Sequence, residues 1–585
     1  MRVSFFESTQ SGFQWVADRV WKVEHAFERA NAANQKATST RMRIFAIMVG
    51  LSFAYIILMV FAARASLSGS PSQIAALTGE PNARAQLVDR NGQLLATDVN
   101  DYTLFVDPSD MTANDRGLVK QDLIQLFPQM DRAIIDHAFT SGNRTLLVNN
   151  LKAADRERIL NYGLPGITFE AHRVRDYPLG NTGAFYIGMT QRGGEGLSGA
   201  EKALQSQITQ GGVHDINVPL AMDLRIQGAL ENELRAAAVD QQAAGATGIV
   251  TNVQTGEVMA MASWPDFDLN RPGAFSEADK RNHAAVDRYE VGSIFKVISL
   301  GIGLDTGTAS LNSIYDGRAP LMVGGRLIHD EHANTQLMSL EDVFIKSSNI
   351  GTSRVALDAG ANNVTRYYDS LGLFRSADIE LTEPAAPLYP KKWTDLSLVQ
   401  TAFGQGMAIT PLSYTEAVSA LLNGGYLRPL TIRKYDGTSP LPGTRVFGAA
   451  TSKTMLDLMR ANVVKGTGSR ANAPGLRVGG KTGTAQKPVN GHYSADNVTS
   501  FAAVFPTDGP LDGNRYLVLI MIDSPKGSAA SSGSRQAGFV AAPIAGRVID
   551  RIAPFLGVQR KEDKFTSAAW AKAPVAPEDV TGEDH

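Results

Sequence analysis

Between Ile44 and Ala63 the chain reads IFAIMVGLSFAYIILMVFAA, twenty residues without a charge. A helix of that length rises about 30 Å, which matches the hydrocarbon core of a bilayer. A cleaved export signal is the alternative, and ARAS at 63–66 resembles an A-x-A cleavage site. The apolar part of a signal is only about 7–15 residues long and starts near the terminus. Here 43 residues come first, so 44–63 is read as an uncleaved transmembrane anchor. Arg29, Lys36, Arg41 and Arg43 lie in the twenty residues before it, and only Arg64 is basic in the twenty after it. Basic residues stay on the cytoplasmic side, which puts the N-terminus inside and everything beyond Arg64 outside. Ala46, Gly50 and Ala54 form a small-residue stripe that permits close helix packing. In the cytoplasmic tail, 1–43, Phe13, Val16, Val20, Val23 and Phe27 recur at roughly helical spacing. They fit a membrane-surface helix or a segment that docks a partner.

A chain of 585 residues exceeds one hydrophobic core and implies two to four domains. Its net charge of −2 argues against general nucleic-acid binding, which needs a basic face. With no cysteine, disulfides, thiolate metal sites and a Cys nucleophile are excluded. The nine histidines form no HExxH pair, so zinc hydrolysis has no support. Residues 64–83 are small, polar and turn-prone, as in a linker. Two β-like runs then flank an Asn-Gly turn at Asn91–Gly92, and mixed signals continue to 215. IQGALENELRAAAVDQQ has helical periodicity, and TGIVTNVQTGEVMAMAS reads as two strands around a Thr-Gly turn. The last runs, SFAAVFPTDG and RYLVLIMIDSP, read as paired strands followed by a helix through APIAGRVIDRIAPFL. The pattern is that of an α/β (α+β) domain with an antiparallel sheet. Residues 561–585 are polar and Ala/Pro-rich, a composition expected of a disordered tail.

Three short pieces carry chemistry. In EVGSIFKVIS, Ser293 and Lys296 lie three apart within an apolar run. On a helix they share a face, so the amine can reach the hydroxyl. Gly292 lets the chain turn in and sets Ser293 near the helix N-terminus, where free N–H groups favour developing negative charge. A desolvated amine with a lowered pKa is a suitable base for a serine nucleophile. Alone, an S-x-x-K is expected once or twice by chance in a chain this long. The second piece is Ser347-Ser348-Asn349, where Ser347 could relay a proton and Asn349 could orient a peptide carbonyl. Ser and Asn are also the favoured helix N-caps. The third is Lys481-Thr482-Gly483-Thr484. On a strand, Thr482 and Thr484 share one face, and Gly483 removes a side chain that would block a substrate laid alongside. Lys481 supplies positive charge for a carboxylate, and the Thr484 N–H can join that of Ser293 in an oxyanion hole. GLRVGGKT also spells a phosphate loop. An extracytoplasmic location and the non-helical sequence GTAQKPVNGHY that follows weigh against it.

The order S-x-x-K, S-x-N, K-T-G-T resembles that of penicillin-binding proteins and class A β-lactamases. The likeness runs over roughly 84–555 and is to a class B penicillin-binding protein, the division-specific (septal) peptidoglycan D,D-transpeptidase. LVDRNGQLLA and VRDYPLG…GLSGAEKAL resemble the family's pedestal motifs, with Arg90, Arg175 and Glu201 as packing residues. TGEVMAMASWPDFDLN, RNHAAVDRYEVGSIFK, FGQGMAITPL and VVKGTGSRA resemble transpeptidase landmarks. Val291 and Ile294 stand where relatives commonly carry Pro and Thr; neither position supplies a catalytic group.

The resemblance implies an elongated β-rich pedestal (PBP dimerisation-type) domain over 84–215 and a transpeptidase domain over 216–560 whose central antiparallel sheet is flanked by helices. It implies a D-Ala-D-Ala stem peptide as donor, an amine of a neighbouring stem as acceptor, and covalent trapping by β-lactams. Ser293 would attack with Lys296 as base, Ser347 and Lys481 would pass the proton to departing D-alanine, Thr482 and Thr484 would hold the carboxylate, and Asn349 the backbone. No metal or organic cofactor is implied. Expected partners are a polytopic septal glycan polymerase and other divisome membrane proteins, at the bacterial inner membrane with the catalytic domain periplasmic. A soluble β-lactamase would be about half this length, and a bifunctional enzyme needs an E-D-x-x-F motif upstream of Ser293. The elongation-specific enzyme and an idle scaffold or β-lactam sensor are the remaining alternatives.

Overall fold

The computed structural model describes residues 84–562 apart from 192, 332–335 and 490–491, together with 45–59 and scattered residues between 19 and 32. The chain divides into two compact units, Met1–Glu80 and Pro81–His585. In the first, the expected anchor is described over 45–59 only, where it is helical and its residues from Ala46 onward are exposed. Among the described residues no helix is long and apolar enough to cross a membrane. The rest of the anchor, the stripe of Phe13 to Phe27, the linker up to 83 and the tail from 563 lie outside the described residues.

The second unit opens with β1 (Leu87–Val88), which returns through an Asn91–Gly92 turn into β2 (Leu94–Val106). Gly92 takes φ +84°, the left-handed conformation this turn needs. Its thirteen residues let β2 pair antiparallel with both β3 (Thr145–Leu151) and β4 (Ile167–Asp176). β5 (Val218–Pro219) runs parallel to β1 and carries the chain out of this sheet. Leu104, Val106, Val119, Leu123 and Ile135 make a separate small core at its far end. Arg175 donates to Glu201 Oε1 at 2.7 Å and to Asp98 at 2.9 Å, and Arg84 pairs with the other Glu201 oxygen. Arg90 plays a different part. It faces Glu257 at 3.5 Å and donates to the Ala221 carbonyl, tying the first hairpin to the following domain.

The predicted helix is α1 (Leu224–Asp240), capped by Asp223, which also accepts a bond from Asn91 at 3.1 Å. β6 (Gly245–Asn252) and β7 (Val258–Trp264) follow as expected, with Gly256 at φ +78° in the turn. They join β8 (Gly479–Val489), β9 (His492–Phe505) and β10 (Tyr516–Asp523) in an antiparallel sheet of order β8-β9-β10-β6-β7. Strands far apart in sequence are thus neighbours, and β8 is left at an edge. The side-chain period of two splits the sheet's residues between two cores. Val250, Val518 and Ile520 join Leu230 and Leu234 of α1 and the last helix, α6 (Ala541–Ile552). Ile249, Leu519 and Met521 face the larger core, built around α2 (Lys296–Asp305).

Around α2 pack α3 (Asn349–Ala359), α4 (Pro411–Leu422) and α5 (Ala449–Lys465). Every residue of α2 from Lys296 to Gly303 is buried. A Cβ at Gly301 would lie 2.8 Å from Leu421, and one at Gly303 2.4 Å from Val355, so both glycines are there for close helix approach. An apolar helix enclosed on all sides is therefore the frame that carries Lys296.

Candidate active site

Ser293 sits one step earlier than the simple helix reading expects. Gly292–Phe295 form a 3₁₀ turn, and α2 begins at Lys296. In a 3₁₀ turn residues i and i+3 eclipse, so Ser293 and Lys296 still share an edge. Gly292 takes φ +62° and its N–H donates to Gly404 O at 3.0 Å. A Cβ at Gly404 would fall 2.0 Å from Gly292 O, so any side chain there would have to displace this turn.

The Lys296 amine is fully buried and does not turn to Ser293, whose Oγ has no hydrogen-bond partner among the described residues. It donates instead to Ser347 O, to Ser347 Oγ at 3.2 Å and to Asn349 Oδ1 at 2.7 Å. Burial pushes its pKa down to about 7, against the pull of Asp330 and Glu331. Lys481 Nζ, also fully buried, donates to Ser347 Oγ from the other side at 2.8 Å and to Thr482 O at 3.0 Å. Burial, and then the neighbouring Lys296, hold it well below the ordinary lysine range. That direction runs against the expectation of a fixed positive charge at Lys481. Two amines sharing one hydroxyl in a dry site cannot both stay protonated cheaply.

The N-cap reading of Ser347-Ser348-Asn349 is met by the middle residue alone. Ser348 is the N-cap of α3, accepting from the Gly351 N–H at 2.9 Å. Ser347 and Asn349 on either side of it are left to face the lysines. Ser347 takes φ +58°, a conformation a non-glycine residue adopts only when its surroundings hold it there. The three residues after it are tied to His329 and Asp330. Asn349 Nδ2 donates to His329 O at 3.0 Å, while Asp330 accepts from Ser348 Oγ at 2.7 Å and from the Ile350 N–H at 2.9 Å.

Lys481-Thr482-Gly483-Thr484 lies within β8, not in a loop before a helix, so the phosphate-loop spelling has no structural counterpart. The outer carbonyls of this edge strand alternate. Gly480 O accepts from Asn462, Thr482 O from Lys481, and Thr484 O lies against Gly292. In an antiparallel strand a residue's N–H and C=O point the same way. The Thr484 N–H therefore faces the Ser293 turn, as an oxyanion donor requires. Thr482 Oγ1 is 2.7 Å from Thr467 Oγ1, and Thr484 Oγ1 accepts from the Ala537 N–H at 3.2 Å. A Cβ at Gly483 would lie 2.8 Å from Val291 O and 3.0 Å from Ile294 Cγ2, so its absence lets the Ser293 turn seat on β8. Val291 and Ile294, both buried, are the surface that it meets.

Sequence reasoning assigned no role to Gly404, Thr467, Asp330 or Glu290, although FGQG and VVKGTGSRA were singled out as strings. Glu290 accepts from the Gly406 N–H at 2.8 Å and from Tyr493 Oη at 2.9 Å. Glu331 accepts from Gln536 at 3.1 Å, joining the loops on the two sides of the site. Among the described residues no group of three or more His, Cys, Asp and Glu could hold a metal ion.

The chain matches the penicillin binding protein transpeptidase domain over residues 246–550 and the penicillin-binding protein dimerisation domain over residues 80–212. It is similar to the probable peptidoglycan D,D-transpeptidase FtsI of Caulobacter vibrioides, 46% identical over 574 residues that cover 97% of either chain. To the peptidoglycan D,D-transpeptidase FtsI of Escherichia coli it is 28% identical over 510 residues, 82% of this chain and 84% of that one. Penicillin binding protein 3 of Mycobacterium tuberculosis, complexed with ampicillin, superposes with a TM-score of 0.65 at 25% identity, covering 83% of this chain and 98% of that one.

Proposed function

The chain belongs to the penicillin-binding protein family of serine D-Ala-D-Ala transpeptidases, and from that premise we propose that it cross-links peptidoglycan stem peptides at the division septum through an acyl-enzyme on Ser293. The observation that carries the assignment of roles is the chain Lys296–Ser347–Lys481, three residues from separate segments joined through one hydroxyl. Neutral Lys296 takes the Ser293 proton as Oγ attacks the penultimate carbonyl of the donor stem. The N–H groups of Ser293 and Thr484 stabilise the oxyanion. As the C–N bond breaks, a proton passes through Ser347, between the two lysines, to the departing D-alanine amine. Thr482 and Thr484 bind the terminal carboxylate, Asn349 the peptide backbone. Gly483 serves by letting these strands and turns meet. An acceptor amine then attacks the ester and gives a proton to Lys296, which passes it to Ser293 Oγ as the ester C–O bond breaks, restoring the free serine and the neutral amine. A β-lactam acylates the same serine.

The pedestal at 84–215 and the transpeptidase domain at 216–560 stand outside the membrane in this reading. The segment 44–63 anchors them, with the N-terminus cytoplasmic. The anchor and pedestal contact a polytopic glycan polymerase and other septal membrane proteins. To test the chemistry, the purified full-length chain in detergent is incubated with a fluorescent penicillin and the labelled residue mapped by mass spectrometry. Labelling confined to Ser293 and absent from Ser293→Ala is expected; a folded chain that is not labelled overturns the mechanism. Localisation to mid-cell, as against the lateral wall, tests the septal assignment.

A further inference from the structure

Two fully buried amines and a strained backbone meet at the Ser347 hydroxyl, and one carboxylate, Asp330, grips the residues that follow it. The Asp330 carboxylate spans two bonds, one to Ser348 Oγ at 2.7 Å and one to the Ile350 N–H at 2.9 Å. The carbonyl just before it, His329 O, holds Asn349 Nδ2 at 3.0 Å. Every residue from Ser348 to Ile350 is therefore tied to the segment 329–330, while Ser347 is bent to φ +58° immediately ahead of them. Strain of that kind persists only if neighbouring contacts impose it. Here the contacts come from a segment outside all three motifs.

We infer that Asp330 is a positioning residue of the acylation site: clamped on Ser348 Oγ and the Ile350 N–H, it holds Ser347 and Asn349 where they receive the Lys296 amine. Its charge has a second consequence. The charged groups that bear on Lys296 are Asp330 and Glu331, and the Lys296 charge in turn bears on Lys481. Asp330 favours the protonated amine and so opposes the effect of burial. A single side chain thus sets both the geometry of the amine's partners and the pH at which the amine becomes a base. The inference rests on Ser293 being the acylated residue with Lys296 as its base.

The test is the second-order rate of acylation of the full-length chain by a fluorescent penicillin from pH 5 to 9, for wild type, Asp330→Asn and Ser348→Ala. In Asp330→Asn the amide can accept only one of the two bonds and carries no charge. The plateau rate should fall about tenfold or more, as for other groups that orient a reacting side chain. The acid limb should move to lower pH, since a negative charge that held the Lys296 proton is gone. A purely structural defect would lower the plateau and leave the limb in place. Ser348→Ala keeps the Asp330 charge and removes one bond, so its plateau should fall with the limb unmoved. An unmoved limb in Asp330→Asn, or a wild-type plateau in Ser348→Ala, overturns the inference. Should wild type itself fail to label at Ser293, the proposed function falls first. If wild type labels and the variants match it, only the role of Asp330 falls.

Discussion

Two buried polar clusters in this chain look alike by composition and behave oppositely. In the pedestal, Arg84 and Arg175 surround Glu201, with Asp98 closing the group. In the site, Lys296 and Lys481 close on the neutral hydroxyl of Ser347. Burial alone lowers the pKa of Arg175 and of both lysines. At Arg175 burial is outweighed by Glu201 and Asp98, so its pKa ends above the ordinary value. At Lys296 it is not, and the pKa falls to about 7. The lesson is that burial by itself does not decide ionisation; whether a carboxylate is hydrogen-bonded directly to the cation does. One cluster fastens two segments together, and the other produces a base.

The sharpest way to break this contrast is to remove one member of each cluster. Lys296→Met replaces an amine by an apolar chain of similar length. Acylation by a fluorescent penicillin should fall by about 10²–10⁴-fold, the usual worth of a positioned base. The same variant sharpens the electrostatic half of the comparison. Lys296 titrates near 7 in the fold and near 10.5 when unfolded, so between those values the unfolded chain holds the extra proton. Wild-type stability should therefore rise with pH from about 7 towards 10.5, and Lys296→Met should lose that part of the slope in thermal melts.

Glu201→Ala is the counterpart. It leaves two buried guanidiniums without their shared carboxylate, a change that typically costs about 3–5 kcal/mol. Thermal unfolding should show that loss, while folded protein acylates within about twofold of wild type. Equal damage to the acylation rate would mean that the pedestal cluster also shapes the site. The smallest effect is expected from Gly404→Ala. The added methyl meets Gly292 O, and the residue must keep φ +89°. A cost of about 1–3 kcal/mol and slower acylation should follow, since the turn carrying Ser293 rests on this point. Wild-type kinetics would show that the turn is free to move.

Much of the architecture was legible because its signals are local. The helix Leu224–Asp240 and the strands flanking Gly256 follow from periodicity and turn residues. The three motifs were legible as residue types at short spacing. What stayed hidden depends on partners from elsewhere in the chain. Nothing in Ser347-Ser348-Asn349 says that the middle serine caps the helix while its neighbours face the lysines. Gly483 reads as an opening for substrate, yet its missing side chain admits Val291 and Ile294. HDE around Asp330 has no motif at all, because a carboxylate that clamps another loop needs no fixed spacing to it.

By itself, then, the sequence determined which chemistry this chain carries: a serine with a lysine three residues on, an S-x-N and a K-T-G-T, in that order. Those are covalent facts, set by residue type and local spacing. Only the tertiary structure decided that burial lowers the Lys481 pKa, and that Lys296 bonds to Ser347 rather than to Ser293. A pKa is set by solvent exclusion and by the charges within a few ångströms. For these lysines, both come from segments scores of residues away along the chain.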